Sequence, residues 1–415
     1  MRRRVLHSGV VLDAGSGEVQ VADVVIADNR IVDVGIGLDG DEGIDCTGSL
    51  LVPGFVDCHA HVCFGPPAMD ALRVPRSARV LSAVPALRTL LRLGVTTVRD
   101  AWGADAGVRL AIENEWIEGP DLLLSLRQVG TTGAIGDLWA PRTGTLDYYG
   151  DPSLPDPIFD GADAGRAVVR RMVRAGADWI KVTATGSIAL GSGVHDLQLT
   201  FEELAAVVDE AARRGERRVM VHAHGARAAE LAARAGAASV EHGTYLDATA
   251  AAAMAENETW YVPTLSVTQS EPEHAPDGAA EAHRESMRLA IDAGVRIAMG
   301  TDSPVLPYSE ALRELRHLSA AGLGDAGALR AATIDAARLL GLADDRGEIA
   351  AGKRADLVVL DGTALDCTAV DERIRRVFRN GVEVGRPGAA RAPAGEGPGD
   401  EPGDGRAALP ASEDG

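Results

Sequence analysis

The sequence predicts an α/β fold: a (β/α)8 barrel of the TIM type carrying a small composite β-sandwich assembled from the two chain ends. Three observations lead there. A long middle section repeats a helix followed by a short, nearly continuous apolar strand, the pattern of a parallel sheet covered on both faces. Short alternating strands stand before and after that section. Histidines, one lysine and one aspartate recur where the apolar strands stop, and in a barrel those strand ends build the site.

Taken in order, VLHSGVVLD and VQVADVVIADNRIVDVG, within Val5 to Asp45, alternate and break at Gly, Asn and Asp, as a small antiparallel β unit does. The barrel pattern begins with FVDCHAHV. Arg79 to Leu93 has helical spacing and leads through Gly94 into VTTVRDA; the weaker DLLLSL follows. Asp163 to Ala175 precedes ADWIKVTAT, and Phe201 to Arg214, with Thr200 and Glu203 as a capping box, precedes RRVMVHAHG. Ala226 to Ala235 leads into SVEHGT, Asp247 to Asn257 into TWYVPTLSV, and Ala279 to Ala293 into VRIAMGTDS. That makes about eight strands, the number a barrel needs. An open doubly wound sheet is the other arrangement, but no Gly-rich fingerprint follows a first strand. Alternation returns in GEIAAGKRADLVVLD and IRRVFRNGVEV, where Asn380-Gly381 signals a hairpin. The expected domains are a sandwich of residues 1–55 and 346–386 and a barrel of residues 56–345. Residues 387–415, rich in Gly, Pro, Ala and acidic side chains, read as a disordered tail without catalytic role.

With 415 residues, 46% of them hydrophobic, the chain can bury a large core. A formal net charge of -20 argues against nucleic acid or an anionic membrane as partner and leaves small molecules. No secretory signal follows the basic Met1 to Arg4, and no run is apolar enough to span a bilayer. The four cysteines form no CxxC pair, so a reducing cytoplasm is expected. Cys58 and Cys63 flank the histidines and read as small buried apolar residues rather than ligands. Nothing in the sequence decides between a monomer and a homo-oligomer.

His59 and His61 end an apolar run, and side chains two apart on a strand share a face. Both imidazoles can reach one ion, though two histidines can also merely cap a strand. Later strand ends add Lys181, His222, His224, His242 and Asp302. A lysine in an apolar strand can snorkel to solvent. Flanked by Trp179, Ile180 and Val182, Lys181 can instead face inward, where N-carboxylation would make it an oxygen ligand. Asp302 could cap a turn, but histidines at five other strand-end positions favour a ligand.

Together these segments resemble the metal-dependent amidohydrolase superfamily. The resemblance runs from PGFVDCHAH through the lysine, the later histidines and TDS to GEIAAGKRADLVVLD, nearly the whole chain before the tail. GVTTVRDAWG, ATGS, HAHG and VEHGT are further similar to the imidazolonepropionase-like group, which contains bacterial metal-dependent Xaa-Pro and Xaa-Arg dipeptidases. The resemblance implies two divalent ions, expected to be Zn2+. His59, His61 and Asp302 would hold one, His222 and His242 the other, and N-carboxylated Lys181 would bridge them. His224 is then assigned to substrate, with Arg142 and Tyr148 from the loop Gln128 to Tyr149 as further substrate-binding candidates. Trp139, Tyr149 and His195 are candidates for the pocket mouth. In VGTTGAIGD, Ile135 stands where related peptidases often place a histidine, which puts dipeptide specificity in doubt.

The expected chemistry is hydrolysis of a C–N amide bond, in a dipeptide or N-acyl amino acid, by a hydroxide bridging the metals, with Asp302 moving the proton. A cyclic-amide hydrolase or deaminase is the alternative. One-metal deaminases of this superfamily usually carry a Glu shortly after the fifth-strand histidine, which Gly225 to Ala229 lacks. A non-catalytic barrel that binds a small molecule would be expected to have lost ligands, and all six are present.

Overall fold

The computed structural model describes residues 2–63, 74–142, 144–146, 154–188, 193–270 and 275–385. Tyr148, Tyr149 and the acidic tail lie outside them. No helix among them is long and apolar enough to cross a membrane.

The two chain ends meet in one eight-stranded sheet. β1 (Arg3–Leu12), β2 (Val19–Ala27) and β3 (Arg30–Gly35) form antiparallel hairpins. β4 (Glu42–Asp45) and β5 (Ser49–Pro53) return to the other edge of β1 and run parallel to it. The N-terminal unit is therefore mixed, not purely antiparallel, because the chain crosses over after β3. On β5 pairs a strand from the far end of the sequence, residues Leu357–Asp361, with Val52 opposite Val358. The hairpin at Asn380-Gly381 is present, with φ of 51° and 71°, the left-handed pair that such a turn requires. Leu6, Val24, Ile31, Leu51, Leu357 and Phe378 give this sheet its own apolar core.

β5 runs almost directly into β6 (Phe55–Ala60), separated from it by Gly54 alone. A Cβ at Gly54 would lie 2.4 Å from Thr96 Oγ1, so only glycine lets the chain pass there. β7 (Val95–Asp100) and β8 (Asp121–Leu124) follow β6 in parallel. Next come β9 (Gln128–Val129) and a small hairpin of β10 (Leu138–Ala140) and β11 (Gly144–Leu146). β12 (Trp179–Thr183), β13 (Arg218–Gly225), β14 (Ser239–Tyr245) and β15 (Trp260–Val262) are again parallel, with β9 beside β12. β15 stops at Pro263, which has no N–H for a ladder. The C-terminal strands are β16 (Leu357–Asp361), β17 (Ile374–Arg379) and β18 (Val382–Glu383).

Backbone hydrogen bonds carry these parallel strands round in a TIM-barrel-like arrangement. Asp178 N donates to Leu124 O, linking the run before β12 to β8. On the other side Tyr261 bridges Ile297 and Ala60 bridges Ser303, so residues 297–303 lie between β15 and β6. The expected last strand, VRIAMGTDS, is present only as these isolated bridges. Gly300 packs so closely on β6 that a Cβ would lie 2.8 Å from that of His59, and Asp302 turns to a φ of 54°. The outer helices match the expected spacing, among them Arg76–Arg92, Ala162–Arg174 and Ala279–Asp292. Helix Phe201–Arg213 has the Thr200/Glu203 capping box with both reciprocal bonds formed.

Candidate metal centre

The strand ends bring the expected polar residues into one buried cluster. One ligand atom each from His59, His61 and Asp302 lie mutually within 4.8 Å. Asp302 Oδ1 is 3.0 Å from His61 Nε2 and 3.3 Å from His59 Nε2. Lys181 Nζ is 3.2 Å from His59 Nε2, and its side chain is among the largest fully buried ones. The His242 ring stands 4.9 Å from that of His59 and 4.5 Å from that of His222. All six expected ligands thus face one space.

Outer hydrogen bonds decide which nitrogen each ring presents inward. His59 Nδ1 donates to the Glu241 carboxylate at 2.6 Å and His61 Nδ1 to the Trp102 carbonyl at 3.1 Å. Both partners only accept, so in the neutral rings the protons sit on Nδ1 and both Nε2 atoms present lone pairs. Two nitrogen lone pairs and a carboxylate oxygen then converge with no proton between them, a set that a cation satisfies. His222 Nε2 donates to Gly186 O at 3.0 Å, which leaves Nδ1 as the nitrogen with the lone pair. His242 Nδ1 bonds Thr264 Oγ1 at 2.8 Å.

Burial pushes the Asp302 carboxyl up, but the His59, His61 and His242 rings around it outweigh that and hold the group well below its ordinary value. Burial lowers His222 to about 3, with Lys181 adding to the effect, and takes His242 well down also. These rings stay neutral, as ligands must. Lys181 is lowered to about 8 by burial, against the pull of Glu241 and Asp302. Its neutral amine, the form that takes up CO2, is therefore accessible under mild conditions.

The amidohydrolase family matches the sequence over residues 50–384. This chain belongs to that family. Among amidohydrolase relatives, ochratoxinase of Aspergillus niger is 29% identical, the alignment covering 92% of this chain and 87% of that protein. Its crystal structure superimposes with a TM-score of 0.81 at 27% identity, covering 94% and 97% of the two chains. Imidazolonepropionase of Acidiphilium cryptum is 32% identical over 85% of this chain and 90% of that protein. A prolidase crystallised with N-methylphosphonate-L-proline gives a TM-score of 0.81 at 32% identity, covering 92% and 100%. The protein is a metal-dependent hydrolase of carbon–nitrogen bonds, as the superfamily resemblance implied.

The remaining expected site residues are placed less centrally. His224 is buried beside His222, with Nδ1 2.9 Å from Thr244 Oγ1 and Nε2 facing Ile188 N at 3.5 Å, a bond long enough for a substrate group to replace. His195 lies against Tyr245 with ring centroids 4.8 Å apart and the rings tilted by 51°. Arg142 is exposed between β10 and β11, and among the described residues no contact joins it to the histidines. Tyr148 falls outside the described residues. Ile135 is half-buried, and Trp139 is exposed on β10.

An amidohydrolase site needs more than its inner ligands, and sequence reasoning missed the layer behind them. Arg99 on β7 and Glu241 on β14 are both fully buried and paired at 3.0 Å. Arg99 also donates to Cys58 O at 2.6 Å, and its guanidinium lies 4.5 Å over the Trp179 ring. Burial raises the Glu241 carboxyl, yet Arg99 and His59 bring it down to about 2. In a regular strand Glu241 and His242 would face opposite sides. The His242 φ of 71° breaks the alternation, so that both approach His59. Replacing Glu241 with Gln would leave Arg99 buried beside a neutral amide. A loss of about 3 kcal/mol in stability is expected, with metal affinity lower by about 10- to 100-fold. Urea unfolding and chelator competition measure the two; unchanged values in both would show that Glu241 does not support His59.

Proposed function

We propose that this amidohydrolase cleaves the amide bond of a dipeptide or an N-acyl amino acid, using two divalent ions, most simply zinc, bridged by N-carboxylated Lys181. The observation that carries the reading is the Lys181 amine, buried 3.2 Å from His59 Nε2 within the His59, His61, His222, His242 and Asp302 cluster. In this reading His59, His61 and Asp302 hold one ion, and His222 and His242 the other. Bound there, such ions supply Lewis acidity and lower the pKa of water. The complete (β/α)8 barrel of residues 56–345 and the composite sandwich of the chain ends belong to the same proposal.

The chain's own residues then divide the work. Asp302, kept ionised by its histidine neighbours, takes the proton from the attacking water and returns it to the leaving nitrogen. His224 Nε2 accepts the long bond from Ile188 N, and in the other tautomer, with the Thr244 hydroxyl donating to Nδ1, it would donate to the substrate α-carboxylate. Ile135 offers apolar surface in place of a polar group, so uncharged apolar side chains are preferred near that loop. The relatives named prolidase and ochratoxinase support an amide substrate. The imidazolonepropionase relative favours a second reading, opening of a cyclic amide.

A panel of dipeptides and N-acyl amino acids, each run beside its C-terminal amide, separates the two. Acids are expected to be cleaved about tenfold faster than amides, on the scale of one charge-assisted hydrogen bond, and His224→Ala should narrow that ratio. Equal rates on both forms, or a ratio untouched by His224→Ala, would move the search to cyclic amides.

A further inference from the structure

Glu314, on the helix Arg313–Leu318, is fully buried, and among the described residues no cation pairs with its carboxylate. It is spent on one turn: Oε1 accepts from Leu265 N at 2.8 Å, and Oε2 from Ser266 N and Ser266 Oγ, each at 2.7 Å. Burying a carboxylate without a counter-ion is costly unless several donors converge on it. Thr264, the residue just before those donors, has a φ of 51°, a left-handed conformation that is an outlier for a β-branched side chain and must be imposed from outside. Its hydroxyl is the group that meets His242 Nδ1 at 2.8 Å. The His242 backbone is left-handed too, and its carbonyl lies 2.9 Å from the Tyr261 hydroxyl. Tyr261 therefore anchors the His242 main chain, and the Thr264 hydroxyl sets the direction of its ring.

We infer that Glu314 is a positioning residue, which fixes the orientation of the His242 ring by holding the turn Thr264–Ser266 so that the Thr264 hydroxyl meets His242 Nδ1. The functional consequence rests on the reading of His242 as a metal-holding residue; the linkage itself does not. A carboxylate that merely capped the short helix Ser266–Gln269 would affect stability alone.

The test compares Glu314→Gln, Ser266→Ala, Thr264→Val, Thr264→Ser and the double variant Glu314→Gln/Thr264→Val. Nitrogen NMR of the His242 ring in metal-free protein reads the hydrogen bond at Nδ1 without any substrate or ion. Wild type and Thr264→Ser are expected to show the signal of a hydrogen-bonded Nδ1; in Glu314→Gln, Ser266→Ala and Thr264→Val that signal should shift or broaden. With zinc loaded, release to a chelator should reveal affinity lower by about 10- to 100-fold in Glu314→Gln and Thr264→Val. The double variant should be no weaker than Thr264→Val alone, because both changes act on one contact. A His242 ring signal unchanged in Glu314→Gln and Ser266→Ala, or losses that multiply in the double variant, would overturn the inference. Should Glu314→Gln fail to fold, the milder Ser266→Ala decides by the same signal. A wild type that loads a single ion would correct the two-metal reading and leave the ring-nitrogen measurement to decide this one.

Discussion

Asp302→Asn is expected to fold and yet lose about a thousandfold in kcat, with KM changed much less, the pattern of a group that acts in the transition state. The backbone should tolerate the change. Asp302 sits at a φ of 54°, and Asn adopts that conformation as readily as Asp does. Its main-chain N also donates to His59 O at 2.7 Å, a bond that the substitution does not touch. The amide cannot accept and release a proton, and it is a weaker ligand than a carboxylate. Circular dichroism with steady-state kinetics checks both halves; a near-normal kcat would remove Asp302 from the proton path.

Lys181→Ala is expected to abolish turnover, by about a thousandfold or more on the scale of an essential site group, and to regain part of it when a short carboxylic acid fills the space. Recovery with acetate or propionate, but not with chloride, would identify the missing group as a carboxylate. Retention of two ions and full activity would exclude the bridge. A second signature needs no substrate. The folded pKa of about 8 lies below the ordinary lysine value of 10.5, so between these limits the unfolded chain binds more protons than the folded one. Stability of metal-free, CO2-free wild type should therefore gain a contribution as pH rises from about 8 to about 10. Below that window Lys181 is charged in both states and its burial is a cost. Lys181→Ala should lack this slope, which urea titrations at two pH values would show.

The residues of the buried cluster were legible because each stands out against an apolar strand: two histidines in PGFVDCHAH, a lysine in WIKVT, an aspartate in GTDS. Strand periodicity then places them at one end of the sheet. The supporting layer was not legible in the same way. Arg99 and Glu241 lie 142 positions apart, and in sequence each looks like an ordinary charged residue. Only their common burial, with Trp179 beneath the guanidinium, makes them a pair. Thr264 and Glu314 are hidden for a related reason, since a hydroxyl 22 positions and a carboxylate 48 and 49 positions from their partners carry no periodic signal. In the fold, the capping box and the Asn380-Gly381 turn are local and were foreseen. The parallel return of β4 and β5 to β1, and the hairpin β10–β11 inside a presumed loop, depend on tertiary pairing that local alternation does not encode.

The pairing of β5 with β16 also sets an order of events during synthesis. β5 holds three consecutive buried apolar residues, Leu50 to Val52, and leads through one glycine into the strand that bears His59 and His61. Its neighbour β16 emerges from the ribosome only after nearly the whole chain has been made, and the Ser49–Arg375 hydrogen bond beside it spans 326 positions. Until then β5 is an uncovered edge, the kind of surface on which nascent chains stick to one another. Closing so long a loop is slow, and the strand leading to His59 and His61 gains its final support last. Slower translation, lower temperature or a chaperone that shields β5 should therefore raise the yield of correctly folded protein, whereas a C-terminus cut before β16 would leave β5, the strand that leads into His59 and His61, paired on one side only.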